Sequence, residues 1–380
     1  MYRGTPPGAG FDLELLIAGG RHIAAGESPY SPAMLAGRSV EITTLFYTYP
    51  PLVAQAFSLL AAVPSPVIFG GAMIAASISA VTVGAAVAGA AGSRALARAA
   101  VLPLAALLPL WFPFTVGMLF GNLDIFFPAL YGLVLVAALR PRDAGPSRRW
   151  LVGGGVALAA ASVTKLHPAV LGVWFVVRGA VELRRVEDLV RIGSVRVPSS
   201  WVVAGVAVLV TAVVFAVSLI AGGTGPWLEY VTVLRAGASV DLLDPRNLGP
   251  AVQLVMLLGL GPGAVGPLQV AVLVVALVVT VISAIRVDDP LESLTWAALA
   301  SFIVLPVTWF HHFAALIPFG IAAVARAWSL DARTRRRVLI LVAASFAIGF
   351  IGFGMPPTWL LAPVVLAMAR LSRPTEQRPG

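Results

Sequence analysis

Apolar runs dominate the chain between residues 50 and 370, and short clusters of arginine, or of glycine, proline and aspartate, separate them. The runs fall at 50–64, 66–90, 99–119, 124–139, 150–163, 168–178, 201–221, 250–260, 265–285, 293–309, 313–326, 338–354 and 357–370. Those at 66–90, 201–221 and 265–285 are long enough to cross a hydrocarbon core of about 30 Å as helices. Several others fall short of the roughly 17 residues a straight span needs. Barrel strands would alternate polar and apolar residues, and these runs do not. The pattern predicts an all-α polytopic membrane protein, a helical bundle of about 10–13 membrane segments with several short or re-entrant.

Two stretches break the pattern. Residues 11–26, "FDLELLIAGGRHIAAG", place Leu13, Leu16, Ile17 and Ile23 on one helical face and Asp12, Glu14 and Arg21 elsewhere. That spacing predicts an amphipathic helix lying on the membrane. No basic segment followed by an apolar core, as in a signal peptide, precedes it. Residues 162–168, "SVTKLHP", put Lys165, the one lysine, between two apolar runs. Arginines flank both runs, so the chain enters the membrane, turns at Lys165–Pro168 and returns. Pro168 disfavours helix at His167, and irregular backbone at membrane depth is tolerated where it lines a protein cavity.

Composition strengthens the membrane reading. The 380 residues are 59% hydrophobic and 11% charged, against about 25% charged in a soluble domain; the mean hydropathy is +0.93. The net charge of +9 is a topology signal, with no nucleic-acid partner implied. By the positive-inside rule, the arginines at 94/98, 140–149, 178–196, 286, 326–337 and 370–378 face the cytoplasm. The organisation expected is an extracytoplasmic first loop over 1–48, a transmembrane domain over 49–370 and a cytoplasmic tail over 371–380. The cytoplasmic loop 179–200 has the character of a basic surface helix. With no cysteine, thiol and disulfide chemistry are excluded. Frequent Ala, Val and Gly, and Arg in place of Lys, point to a GC-rich bacterial genome.

That topology gathers the chemistry on the outer side. Asp12 opens the amphipathic helix. "YTYPPL" presents Tyr49, "FGNLDIFF" presents Asn122 and Asp124, and the hairpin tip holds Lys165 and His167. "SVDLLDPRNLGP" supplies Asp241, Asp244, Arg246 and Asn247, and "VTWFHHFAALIP" supplies His311 and His312. Each has an ordinary structural reading as well: a helix cap, an interfacial aromatic or a loop polar group. Adjacent histidines point apart on a helix, so no metal is expected. Lys165 is the exception, because a lysine at membrane depth costs roughly 2.5–3.5 kcal/mol by insertion scales. No acid lies near it in sequence, although a distant one such as Asp12 or Asp124 could fold onto it. A cationic group of Lys165, Arg246 and a protonated histidine suits a lipid phosphate, and a lone carboxylate nearby suits a general base.

The ordered motifs "FDLELLIAGGRHIAAGESPY", "FYTYPPL", "GNLDIFFPALYGLVLVAALRPR", "AAASVTKLHPAVLGVWFVVR" and "LPVTWFHHFAALIPF" resemble glycosyltransferase family 87 of the GT-C superfamily, from about residue 11 to 326. The resemblance implies a multi-pass enzyme of the bacterial plasma membrane with an extracytoplasmic active site. It implies inverting transfer of a hexose, mannose first, from a polyprenyl-phosphate donor to a lipid or envelope-glycan acceptor, without an obligatory metal. It implies Asp12 as general base. Lys165, His311, His312 and Arg246 would bind donor phosphate, with Tyr49, Asn122, Asp124, His167 and Asn247 supporting. Members carry a membrane helix ahead of the acidic loop, so one is expected upstream of Met1. The alternatives are a lipid-linked-sugar transporter or an inactive scaffold paralogue.

Overall fold

The computed structural model describes residues 9–36, 47–139, 148–237, 243–352 and 355–374. Arg3, Arg38, Arg140, Arg142, Asp241 and the tail beyond Pro374 lie outside the described residues, as do parts of the expected first loop. The chain begins with helix α1 (Phe11–Ala24), a single turn α2 (Pro32–Leu35) and a short α3 (Pro51–Ser58). Then come α4 (Ser65–Ala91), α5 (Arg94–Leu107), α6 (Phe112–Phe120) and α7 (Phe127–Leu139). The hairpin is α8 (Arg148–Thr164) and α9 (Ala169–Arg185), followed by strands β1 (Leu189–Ile192) and β2 (Val195–Pro198). The second half comprises α10 (Ser199–Gly222), α11 (Gly225–Gly237), α12 (Pro250–Leu257), α13 (Val265–Arg286), α14 (Pro290–Ile303), α15 (Ile317–Trp328), α16 (Ala332–Ile351) and α17 (Leu361–Leu371).

The protein is an all-α multi-pass membrane protein. Among the described residues four helical segments are long and apolar enough to span, Ser65–Ala91, Ser199–Gly222, Pro262–Arg286 and Phe310–Trp328. A fifth forms if the pair Arg94–Leu110 and Phe112–Phe120, bent by 68°, is counted as one. Pro109 and Pro113 flank that bend; proline removes a backbone donor and crowds the preceding turn, so a run read as one segment breaks in two. Helices α4, α10 and α13 leave Val67, Ile74, Val208, Leu209, Val270 and Val274 exposed. Such surface is unfavourable in water and neutral against acyl chains.

The bundle has two chemically different ends. At one, Arg178 donates to the backbone carbonyls of Ala284, Val287 and Asp288. Arg326 pairs with Asp289 at 2.6 Å, and Arg370 and Arg373 converge on Glu292. At the other lies the hairpin tip, where α8 ends at Thr164 and α9 starts at Ala169. The turn stands where the sequence places it.

Two expectations need correction. The segment 179–200 is not a surface helix: α9 continues to Arg185, and Leu189–Pro198 folds into an antiparallel hairpin with Val190 opposite Val197. The β-branched run "LVRI…VRVP" carries the strand signal, with Gly193 at φ 59° in the turn. The apolar face of α1 does not rest on lipid either. Leu13, Leu16 and Ile17 are buried against Tyr30, Tyr47, Val53 and Tyr230. Gly19 and Gly20 make this fit possible. A Cβ on Gly20 would lie 2.6 Å from the Phe57 carbonyl carbon, and one on Gly19 would lie 2.7 Å from the Tyr47 ring.

Candidate active site

Asp12 reaches the site because α1 is tied to the end of α6. The Gly10 amide donates to the Leu119 carbonyl at 2.8 Å. Helix α6 ends on Gly121 in the left-handed region, φ 68°, where a Cβ would lie 2.8 Å from Leu13 Cβ. This close approach brings the half-buried Asp12 carboxylate to the next residue, Asn122, whose Nδ2 donates to Asp12 Oδ2 at 2.7 Å.

The orientation of the Asn122 amide follows from local structure. Asn122 caps the short 3₁₀ segment Leu123–Phe126, and its Oδ1 accepts the Asp124 amide at 3.0 Å. A side-chain oxygen used as a cap leaves the NH₂ facing Asp12. The same Oδ1 accepts from Lys165 Nζ at 3.4 Å. Asp12 and Lys165 therefore meet on opposite ends of one amide.

Lys165 has a partner in the chain. Its ammonium donates to Asp124 at 2.9 Å, and Asp124 is fully buried while 14% of the lysine side chain stays accessible. The sequence left open whether a ligand phosphate or a distant acid supplies the counter-charge, and the fold brings in Asp124 from 41 residues away. Lys165 also lies 5.8 Å above the Tyr49 ring.

The two histidines converge on the same carboxylate. His311 Nε2 lies 3.4 Å and His312 Nε2 lies 3.2 Å from Asp124 Oδ2. They sit on a 3₁₀ segment, Phe310–Leu316, with Asp124 between their rings, which stand 88° apart. The adjacent rings thus serve one point instead of diverging. The Trp309 amide donates to His312 Nδ1 at 3.2 Å. An accepting Nδ1 puts the proton of the neutral ring on Nε2, which faces the Asp124 carboxylate. The 3.1 Å approach of Lys165 to Nε2 is then proximity of two donors on one acceptor. The ammonium thus sits among Asn122, both Asp124 oxygens and His312, with part of the side chain still accessible.

A family model for glycosyltransferase family 87 matches residues 47–308, more than half of the chain. The chain belongs to glycosyltransferase family 87. It is a membrane glycosyltransferase, and it acts on a sugar donor and an acceptor. Comparison with curated proteins gives no match. The family match is narrower than the resemblance read from the motifs. It contains Tyr49, Asn122, Asp124, Lys165 and His167, whereas Asp12, His311 and His312 lie outside it and are placed by geometry alone.

The remaining predicted residues of this family 87 chain divide by location. Asn247 is fully buried and holds the histidine loop. Its Oδ1 accepts from the amides of Gly249 and Thr308, both at 2.9 Å, and its Nδ2 donates to the Pro306 carbonyl at 3.1 Å. It is a brace and touches no open space. Arg246 forms a two-pronged pair with Asp244, from Nε at 2.9 Å and through Nη2, so its guanidinium is engaged in its own loop. His167 is buried between Phe127, Phe302 and His312. No hydrogen bond reaches either of its ring nitrogens among the described residues.

Tyr30 and Trp309 were not singled out from sequence. The Tyr30 hydroxyl donates to the Tyr49 carbonyl at 3.0 Å and fixes that loop; Trp309 acts through its backbone amide. The "ESPY" motif was the only available signal for Tyr30, and no side-chain pattern could signal a backbone donor.

Asp124, His311 and His312 also bring ligand-capable atoms within 4.8 Å of one another. The Lys165 ammonium lies against the same carboxylate, 2.9 Å away.

Proposed function

We propose that this family 87 enzyme moves a hexose, with mannose the leading candidate, from a polyprenyl-phosphate donor to a lipid or envelope-glycan acceptor at the extracytoplasmic face of the bacterial plasma membrane. One observation carries the reading: the half-buried Asp12 carboxylate and the Lys165 ammonium lie at the two ends of the Asn122 amide. Transfer from a phosphate needs a base for the acceptor hydroxyl and a cation for the departing phosphate, held a few ångströms apart.

Asp12 takes the acceptor proton as that oxygen attacks C1 of the sugar. The C1–O bond to phosphate breaks, and the electron pair leaves with the polyprenyl phosphate. Attack from the Asp12 side, opposite the leaving group, inverts the anomeric centre. The accessible side of the Lys165 ammonium meets the phosphate, while Asp124 keeps the ammonium in place. His311 and His312 flank this point, His312 as a fixed donor. Tyr49 lies beneath the ammonium and borders the sugar position. The cationic role falls to Lys165, so the chemistry proceeds without a bound metal.

The Asp12 carboxyl lies above its ordinary value because burial disfavours the charged form. The Asn122 hydrogen bond and the Lys165 charge partly offset this. A base raised toward neutrality is better matched to proton removal. A transporter would need a polar path joining the two ends, whereas the Asp12, Asn122, Asp124 and Lys165 cluster gathers at one end.

The test is transfer from radiolabelled polyprenyl-phosphate mannose in membranes, comparing wild type with Asp12→Asn. Loss of transfer at unchanged protein level supports the reading. Full transfer by the variant removes Asp12 as base.

A further inference from the structure

A shallow, widely open groove of about 500 Å³ lies at the arginine-rich end, opposite the active site, lined by Trp328, Ala332, Arg335, Arg336, Leu339 and Ile340. We propose that it binds one anionic phospholipid of the adjoining leaflet. The headgroup phosphate would lie on Arg335 and Arg336, and an acyl chain along α16.

The lining residues share one face, because positions three and four apart on a helix are neighbours. The arginines occupy the second turn of α16. Ile340 and Ala343, which extend the groove, lie roughly 6–12 Å deeper at 1.5 Å of rise per residue. The order along the axis is therefore charge first, then hydrocarbon, which is the order of a phospholipid entering from the interface. Trp328 is half exposed at the end of α15, the level where membrane proteins place tryptophan. The Arg335 guanidinium sits 5.3 Å over its ring, an arrangement that orients a cation before any ligand arrives.

The charge is available. Among the described residues no ion pair or hydrogen bond engages the guanidinium of Arg335 or Arg336. The one nearby acid in sequence, Asp331, is taken by the amide and hydroxyl of Thr334, at 2.9 and 2.6 Å. Leu339 and Ile340 stay exposed, so the groove is apolar where an acyl chain would run. Other arginines at this end differ: Arg326, Arg370 and Arg373 are consumed by Asp289 and Glu292. The proposal is independent of the transfer chemistry.

The experiment is native mass spectrometry of the full-length protein from mild detergent, with phosphatidylglycerol and phosphatidylcholine added in turn. Phosphatidylglycerol binds in preference. Arg335→Ala/Arg336→Ala lowers its occupancy roughly tenfold or more, as expected for two juxtamembrane cations, and leaves phosphatidylcholine adducts unchanged. Ile340→Asn, with both arginines kept, also weakens the adduct. Arg333→Ala/Arg337→Ala removes the same charge from positions outside the groove and leaves binding intact; equal loss in that pair reduces the effect to general charge and overturns the site. Retained binding in Arg335→Ala/Arg336→Ala overturns it as well. Displacement of the lipid by millimolar inorganic phosphate would mark a free-phosphate site and would equally overturn the proposal. Thermal unfolding of each variant in the same detergent confirms that the fold is kept.

Discussion

Lys165 and Asp124 stand 41 residues apart in the chain, and the lysine ammonium lies 2.9 Å from the aspartate carboxylate. The carboxylate is fully buried and the ammonium nearly so. Removing one partner leaves a charge with no water and no counter-ion, at a cost of about 3–5 kcal/mol. Asp124→Ala and Lys165→Met are each expected to lower the unfolding temperature in detergent. Lys165→Met/Asp124→Leu recovers most of that loss while transfer stays absent. Single variants with the wild-type unfolding temperature would refute the pairing.

Asp12→Asn keeps the shape and the hydrogen-bonding capacity of the side chain but cannot accept the acceptor's proton. The expected loss in kcat is about 10²–10⁴-fold, with KM for the donor little changed. Steady-state kinetics on purified enzyme measure the split. A loss confined to KM would make Asp12 a binding residue.

The pH dependence follows from the same group. Burial raises the Asp12 carboxyl above its ordinary 3.8, and the Asn122 hydrogen bond lowers it. The base works when deprotonated, so transfer falls as pH drops through a midpoint above 3.8. Asn122→Ala removes a donor to the charged form and moves that midpoint further up. A midpoint that stays still or moves down in Asn122→Ala contradicts the geometry.

Asn247→Ala removes a buried group that satisfies two amides and one carbonyl of the loop carrying His311 and His312. Each orphaned polar group costs about 1–3 kcal/mol. The variant is expected to unfold at lower temperature and to lose transfer although it touches no substrate. Wild-type stability together with lost activity would indicate direct contact instead.

Gly20→Ala places a methyl group 2.6 Å from the Phe57 backbone. Overpacking costs about 1–3 kcal/mol, and α1 relieves it by moving away from α3. Asp12 moves with the helix, so transfer falls with stability. Gly26→Ala serves as a control, since no atom lies within 4 Å of the position; its φ of 76° makes it a strain-only comparison. Equal behaviour of the two variants would discount packing at Gly20.

The membrane class, the break at Lys165–Pro168 and the gathering of polar residues at one end were legible in the chain itself. Hydropathy and helix-breaking are local properties: a run of apolar side chains prefers hydrocarbon whatever surrounds it, and Pro168 constrains only its neighbours. Which distant acid, Asp12 or Asp124, pairs with Lys165 was not legible, because that depends on how α6 and the hairpin pack. Neither was the burial of the α1 face. Its amphipathic spacing predicts an apolar surface underneath, but only the fit of Gly19 and Gly20 against Tyr47 and Phe57 makes that surface protein instead of lipid. Tertiary structure likewise engaged Arg246 with Asp244, made Asn247 a brace and turned two adjacent histidines onto one carboxylate. Residue types along a chain state what each side chain can do; the three-dimensional path decides which of them meet.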